Sequence, residues 1–286
     1  MNINIAALVH GFNAGAPVDK PPIDQATLIA RLPQFLQNSI NSTPLGRRMN
    51  AYRTIHDPSL AMLRLANIVS QRPEPVLITG ETGTGKELLA KIMLNQRSDE
   101  QFFTQNCAGI PETLFESLMF GHKSGSFTGA VRDSPGFLVS AGTGVAFLDE
   151  VGELPLNQQA KLLRAIQDRK VMPVGNPYVV PIACRFVFAT NRDLREMVQA
   201  GTFREDLYYR ISALALHTYP LRDRPDDAIL IAKSICERHG WESPLSIPEP
   251  IVASTGNVRA LENWLLQRHV YGIGADGVNP AIGENS

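Results

Sequence analysis

The stretch VLITGETGTGKELLAKIML, residues 76–94, decides the reading of the fold. VLIT, residues 76–79, is the short apolar run that a sheet buried on both faces requires. Gly80-Glu81-Thr82-Gly83-Thr84-Gly85-Lys86 follows, and ELLAKIML then resumes with apolar residues at helical spacing. Strand, glycine-rich turn and helix in that order turn a G-x-x-x-x-G-K string into a mechanism. The glycines let backbone N–H groups curl around phosphate oxygens without a side-chain clash. The helix N-terminus adds its dipole, and Lys86 would reach the β- and γ-phosphates of a nucleotide as a point charge. The competing reading is a glycine-rich turn with a solvated lysine, against which the flanking strand and helix argue.

The same alternation recurs downstream. VAFLDE (145–150) precedes NQQAKLLRAIQ (157–167), and CRFVFAT (184–190) precedes RDLREMVQ (192–199). This predicts an α/β fold, a parallel sheet layered between helices. Upstream, Asp57-Pro58 reads as an N-cap with proline at the first helical position, leading into SLAMLRLANIVSQR. The core is therefore expected over 57–223. Past Pro220 the chain turns helical, with runs at 226–239 and 258–271 around the break SPLSIPEP, so a small helical lid is expected over 224–272. Residues 1–56 carry one predicted short helix after Asp24 (QATLIARL) and no motif tied to chemistry, and the polar tail 273–286 reads as disordered.

With 286 residues, 44% hydrophobic and 19% charged, the chain can bury one substantial core and a small accessory domain. A net charge of -1 gives no whole-molecule electrostatic case for gripping nucleic acid. Cys107, Cys184 and Cys236 lie far apart with no C-x-x-C pair, and read as buried thiols suited to a reducing compartment. The first twenty residues have no basic leader before an apolar run, and no run approaches the roughly 20 apolar residues of a membrane span. A cytoplasmic protein without membrane contact is expected.

Asp149-Glu150 ends the VAFL strand downstream of the glycine-rich loop. Asp149 is the natural residue to hold Mg²⁺, directly or through water, and Glu150 to orient or activate an attacking water. An acidic pair in that place could also cap a helix. One departure stands out: Glu87 follows Lys86 where the P-loop pattern has Ser or Thr on the metal.

Together these residues resemble the AAA+ domain of bacterial enhancer-binding proteins, the ATPases that activate sigma-54 RNA polymerase, over roughly residues 57–271. The most specific element is Gly125-Ser126-Phe127-Thr128-Gly129-Ala130, similar to the GAFTGA loop with which these activators touch sigma-54. As chemistry, it is a hinge-like stretch carrying one aromatic. The alternative is a surface turn whose Phe127 folds back into the core. The resemblance implies further roles. Asn106 would contact Glu150 and switch its orientation. Thr190-Asn191 would sense the γ-phosphate, although Asn191 could also cap the following helix. Arg204 and Arg210 in FREDLYYR would reach the ATP of a neighbouring subunit, and Arg259 in GNVRALEN would contact the subunit's own nucleotide. It also implies ATP and Mg²⁺, a homo-oligomer of hexameric-ring type, and the sigma-54 holoenzyme as partner. The lid departs from the pattern. It is shorter by about one helix, and Thr255 stands where a Trp-Pro pair commonly precedes Gly-Asn. No receiver or helix-turn-helix segment is recognisable. The favoured reading is an ATP-hydrolysing activator of sigma-54. The alternatives are a non-catalytic nucleotide-binding subunit of a mixed ring, and a remodeller of another protein.

Overall fold

The computed structural model describes residues 51–94 and 101–272. The helix expected after Asp24 and the tail from residue 273 lie outside them. The described residues form two compact units, one drawn from Ala66–Glu81 and Gly85–Thr218, the other from Leu65 and the residues before it, Thr82–Thr84, and Tyr219 onward.

Along the chain, α1 (Asp57–Ser70), β1 (Val76–Thr79), α2 (Lys86–Ile92), β2 (Phe102–Asn106), α3 (Phe115–Phe120) and α4 (Phe137–Ser140) come first. β3 (Val145–Asp149), α5 (Leu156–Asp168) and a small antiparallel pair, β4 (Lys170–Val171) with β5 (Val180–Pro181), follow. β6 (Arg185–Thr190), α6 (Leu194–Gln199), α7 (Glu205–Ile211) and β7 (Leu214–His217) complete the first unit. Its five-stranded sheet runs β2-β3-β6-β1-β7, every neighbouring pair parallel.

Because side chains alternate between faces of a strand, the burial pattern shows what covers the sheet. Leu77, Ala146, Leu148, Phe186 and Phe188 join a core built with residues of α3 to α7. Their alternates Val76, Ile78, Val145, Phe147 and Val187 are equally buried, and α2 packs on β1, β3 and β6. The sheet is thus covered on both faces, the layered α/β architecture expected. Arg185 at the start of β6 donates to Val69 O at 2.6 Å and Ser70 O at 2.5 Å, satisfying two last-turn carbonyls of α1.

The patterning predicts β1, β3 and β6 but misses β2 and β7, the two edges. FFTQN is only half-buried and LALH buries Leu216 alone, so neither carries the continuous apolar run of an inner strand. Two terminus readings also shift. α1 begins at Asp57 itself, with His56 O accepting from Leu60 N at 2.9 Å, so Pro58 is the second helical residue. The cap of α6 is Asp193, which accepts from the Arg195 and Glu196 N–H groups; Asn191 is not the cap.

The second unit contains α8 (Pro225–His239), α9 (Glu249–Val252) and α10 (Asn257–Tyr271). Leu221, Ala228, Ala232, Ile235, Cys236, Leu261, Trp264 and Leu265 form its core. Beside that core, the fully buried Asp227 accepts from Thr54 Oγ1 at 2.6 Å and Ile55 N at 2.7 Å. Arg224 lies against it, donates to Tyr219 O and Thr84 O, and stacks 5.4 Å from the Tyr52 ring. A buried ion pair survives only when its remaining polar atoms are satisfied, and here residues 52–55 supply part of that satisfaction. Among the described residues, no helix is long and apolar enough to cross a membrane.

Candidate nucleotide site and partner loop

A parallel sheet brings all its strand C-termini to one edge, where ligands of open α/β folds bind. Here that edge carries Gly80 just after β1, Asn106 as the last residue of β2, Asp149 ending β3 with Glu150 after it, and Thr190 ending β6 with Asn191 after it. The register is tight: Thr79 lies opposite Thr190 and Asn106 opposite Asp149, while Gly80 N–H donates to Thr190 O at 3.3 Å. Gly80, Gly83 and Gly85 have φ of 145°, 77° and 100°, conformations that residues with a Cβ avoid. Lys86, only 7% exposed, donates from Nζ to Gly80 O at 2.9 Å and Glu81 O at 3.1 Å. Its ammonium is therefore held inside the curl of the loop. Glu87 points elsewhere on α2 and pairs with Lys91 at 3.2 Å.

Glu150 adopts a left-handed conformation, φ 53° and ψ 47°, at the end of β3. Its N–H donates to Asp149 Oδ1 at 3.0 Å, and its own carboxylate accepts the Asn191 N–H at 3.3 Å. The loop after β6 thus meets the acidic pair directly. Asn106 is differently engaged: its Oδ1 accepts the Ala108 N–H at 2.9 Å, capping the short turn Cys107–Gly109. Thr190 is fully buried and its hydroxyl accepts the Arg192 N–H. Cys107, beneath this edge, is pushed up to about 12, first by burial and then by Asp149 and Glu150.

In the second unit, the loop tip Thr82–Thr84 is gripped by backbone contacts. Asn257 Nδ2 donates to Thr82 O, Val258 N–H to Gly83 O, and Arg224 and Tyr52 to Thr84 O. A Cβ on Gly83 would stand 2.3 Å from Gly256 O and 3.3 Å from the Cβ of Arg259, which places Arg259 beside the loop backbone. Thr255 precedes this turn, and its carbonyl accepts from Asn257 Nδ2 at 3.0 Å.

Arg204 and Arg210 lie at opposite ends of α7, both exposed. Arg204 makes a two-pronged pair with Asp206, at 3.0 and 2.7 Å, which raises the guanidinium's pKa and holds the Asp206 carboxyl below its usual range.

Gly125–Ala130 is a closed loop. Gly125 N–H donates to Ala130 O at 2.7 Å and Ala130 N–H to Phe127 O at 3.0 Å, with Gly125 and Gly129 at positive φ. Lys123 pairs with Asp133 across its base, and that bond, followed by the Ser124 N–H, holds the Asp133 carboxyl low. Phe127 is 38% exposed and leans edge-on against His122, ring centroids 5.1 Å apart, outside the apolar cores. The β4–β5 hairpin buttresses the loop: Lys123 N–H donates to Val174 O, Val174 N–H to Gly121 O, and Gly175 lies against Ser126.

Residues 55–217, more than half of the chain, match the family model described as the sigma-54 interaction domain. The chain belongs to this family. It is 43% identical over 213 residues to the DNA-binding transcriptional activator HyfR of Escherichia coli (strain K12), spanning 71% of this chain and 32% of HyfR. With SfnR of Pseudomonas putida, a sigma54-dependent transcriptional activator, identity is 41% over 224 residues, 74% of this chain and 61% of SfnR. The crystal structure of NtrX from Brucella abortus in complex with ADP superposes with a TM-score of 0.67 at 28% identity, covering 81% of this chain and 56% of NtrX. The chain therefore spans less than two thirds of the length of each of these relatives.

Within this sigma-54 interaction domain, the structure gathers Gly80, Lys86, Asp149, Glu150, Thr190 and Asn191 at one sheet edge. Four contributors escaped sequence reading. Tyr52 and Arg224 hold Thr84, the β4–β5 hairpin holds the GSFTGA loop, and Gln159 receives the Arg204 N–H at 2.8 Å. Each works through backbone atoms or a buried amide, and such contacts leave no motif.

Proposed function

We propose that this domain hydrolyses ATP in a ring of identical subunits and uses Phe127 and Thr128 to engage sigma-54, remodelling the closed complex of the polymerase holoenzyme. The observation that carries the reading is the GSFTGA loop, presented with an exposed aromatic on a fold of this family. The working partition is an ATPase core over 57–223 and a short helical lid over 224–272, preceded by a segment over 1–56 to which no role is assigned. A cytoplasmic location suits such a partner, and nothing in the charge balance supports direct sequence-specific DNA binding.

The residues fit a nucleoside triphosphate. Lys86 already has its ammonium inside the glycine curl, where its two carbonyl partners can be exchanged for phosphate oxygens. The family resemblance gives Arg259 a contact with the subunit's own nucleotide. Mg²⁺ would then rest on Asp149, since Glu87 is turned to Lys91; bound there, it would neutralise charge on the transferred phosphoryl group. Glu150 would orient the attacking water, with Asn106 switching its orientation, and Thr190-Asn191 would register the γ-phosphate. Arg204 and Arg210, both exposed on α7, would complete the site of the adjacent subunit, an effect on the order of 10³–10⁵ in rate for such arginines.

Phe127→Ala tests the partner step. ATP turnover should stay within about twofold of the parent while binding to purified sigma-54 in the presence of a transition-state nucleotide analogue is lost. Equal loss of both would make the loop a structural part of the ATPase and leave sigma-54 without a contact.

A further inference from the structure

Gln159 lies in the polar run Asn157-Gln158-Gln159, in the first turn of α5, and is fully buried. Its Nε2 donates to Leu154 O at 2.7 Å and Thr202 O at 3.1 Å, and its Oε1 accepts the Arg204 N–H at 2.8 Å. Two carbonyls face the nitrogen and one N–H faces the oxygen, so only one orientation of the amide satisfies all three.

The three partners are backbone groups from two places. Leu154 closes the turn Val151–Glu153 that follows Glu150, while Thr202 and Arg204 form the entry to α7. That entry has no side-chain cap of its own, although its N-cap residue is Arg204. α7 is only 7 residues long and carries Arg204 and Arg210 at its two ends. The direction of so short a helix depends on how its first residue is held, and a misplacement of about 1 Å at a catalytic group can cost on the order of 100-fold in rate.

We infer that Gln159 is a positioning residue for catalysis between subunits: by fixing the entry of α7, it sets where Arg204 and Arg210 point in the neighbour's nucleotide site. The inference rests on the shared-site ATPase proposed above. Gln159 touches no reacting atom. Its effect belongs to the arginine helix a subunit offers, not to the pocket in which that subunit holds its own ATP.

Gln159→Met keeps the volume and removes all three bonds. Turnover should fall about tenfold or more with affinity for an ATP analogue unchanged. Complementation then separates the roles. In equimolar mixture with Glu150→Gln, which has a dead pocket but an intact α7, turnover should recover to about a quarter of the parent, because one head-to-tail interface in four pairs two intact halves. With Arg204→Ala there should be no recovery. Recovery with Arg204→Ala and not with Glu150→Gln would assign Gln159 to its own pocket, and recovery with neither would make it a general structural residue; both overturn the inference. Should the methionine variant not fold, hydrogen exchange in the parent decides. The Arg204 amide should exchange as slowly as amides inside α5, and exchange at the rate of an exposed loop amide overturns the inference. A parent without ATP turnover, or a Glu150→Gln and Arg204→Ala pair that does not complement, instead sinks the proposed function on which it rests.

Discussion

Glu150 occupies a left-handed conformation that costs a residue with a Cβ about 1–2 kcal/mol, and two contacts keep it there. Its carbonyl accepts the Glu153 N–H at 3.0 Å and its carboxylate accepts the Asn191 N–H. No sequence pattern foretells that backbone, because the acidic pair reads the same with Glu150 in any conformation. Asn191 shows the converse: its place after an apolar strand is legible, its partner is not, since the cap it could have supplied is taken by Asp193. Cys107, beneath the acidic pair, gives a prediction at this scale. Burial and the two carboxylates both disfavour its thiolate, raising its pKa from 9.0 to about 12 in the folded protein. The stability this confers is complete below pH 9 and is lost as pH rises from 9 toward 12. Native protein at pH 8 should leave Cys107 unlabelled by a thiol reagent and label it on unfolding, and its urea midpoint should fall above pH 9. Rapid labelling of Cys107 in the folded state would contradict this placement.

At the scale of elements, what was legible follows burial. β3 and β6 are continuous apolar runs and read plainly; β2 and β7, exposed along their outer edges, mix polar and apolar residues and do not. The GSFTGA loop is legible as a string, but its support is not. The β4–β5 hairpin grips it through backbone hydrogen bonds and through one close approach: a Cβ on Gly175, φ 75°, would stand 2.6 Å from the Cβ of Ser126. Gly175→Ala should therefore displace the loop without altering a residue of it. Sigma-54 binding is expected to weaken about tenfold or more, with ATP turnover nearly unchanged, since the hairpin lies outside the nucleotide edge. Unchanged binding would mean that the loop's set is independent of the hairpin.

For the whole molecule, the central claim is that catalysis is divided between subunits. The pocket groups Lys86, Asp149 and Glu150 belong to the sheet edge, whereas Arg204 and Arg210 stand exposed on α7, Arg204 meanwhile paired with its own helix neighbour Asp206. Such an exposed pair is worth little, so Arg204 can leave Asp206 for a phosphate at small cost. The polar run that hides Gln159 and the residues 52–55 that complete Asp227 show why sequence could name the chemical groups yet not how they are held: the holding is done by ordinary residues whose burial only the fold reveals. The most direct test is steady-state ATP hydrolysis across a wide range of protein concentration, with Glu150→Gln and Arg210→Ala alongside. The account predicts turnover per subunit that rises with concentration to a plateau and is lost in both variants. Turnover independent of concentration, or an Arg210→Ala variant as active as the parent, would contradict it.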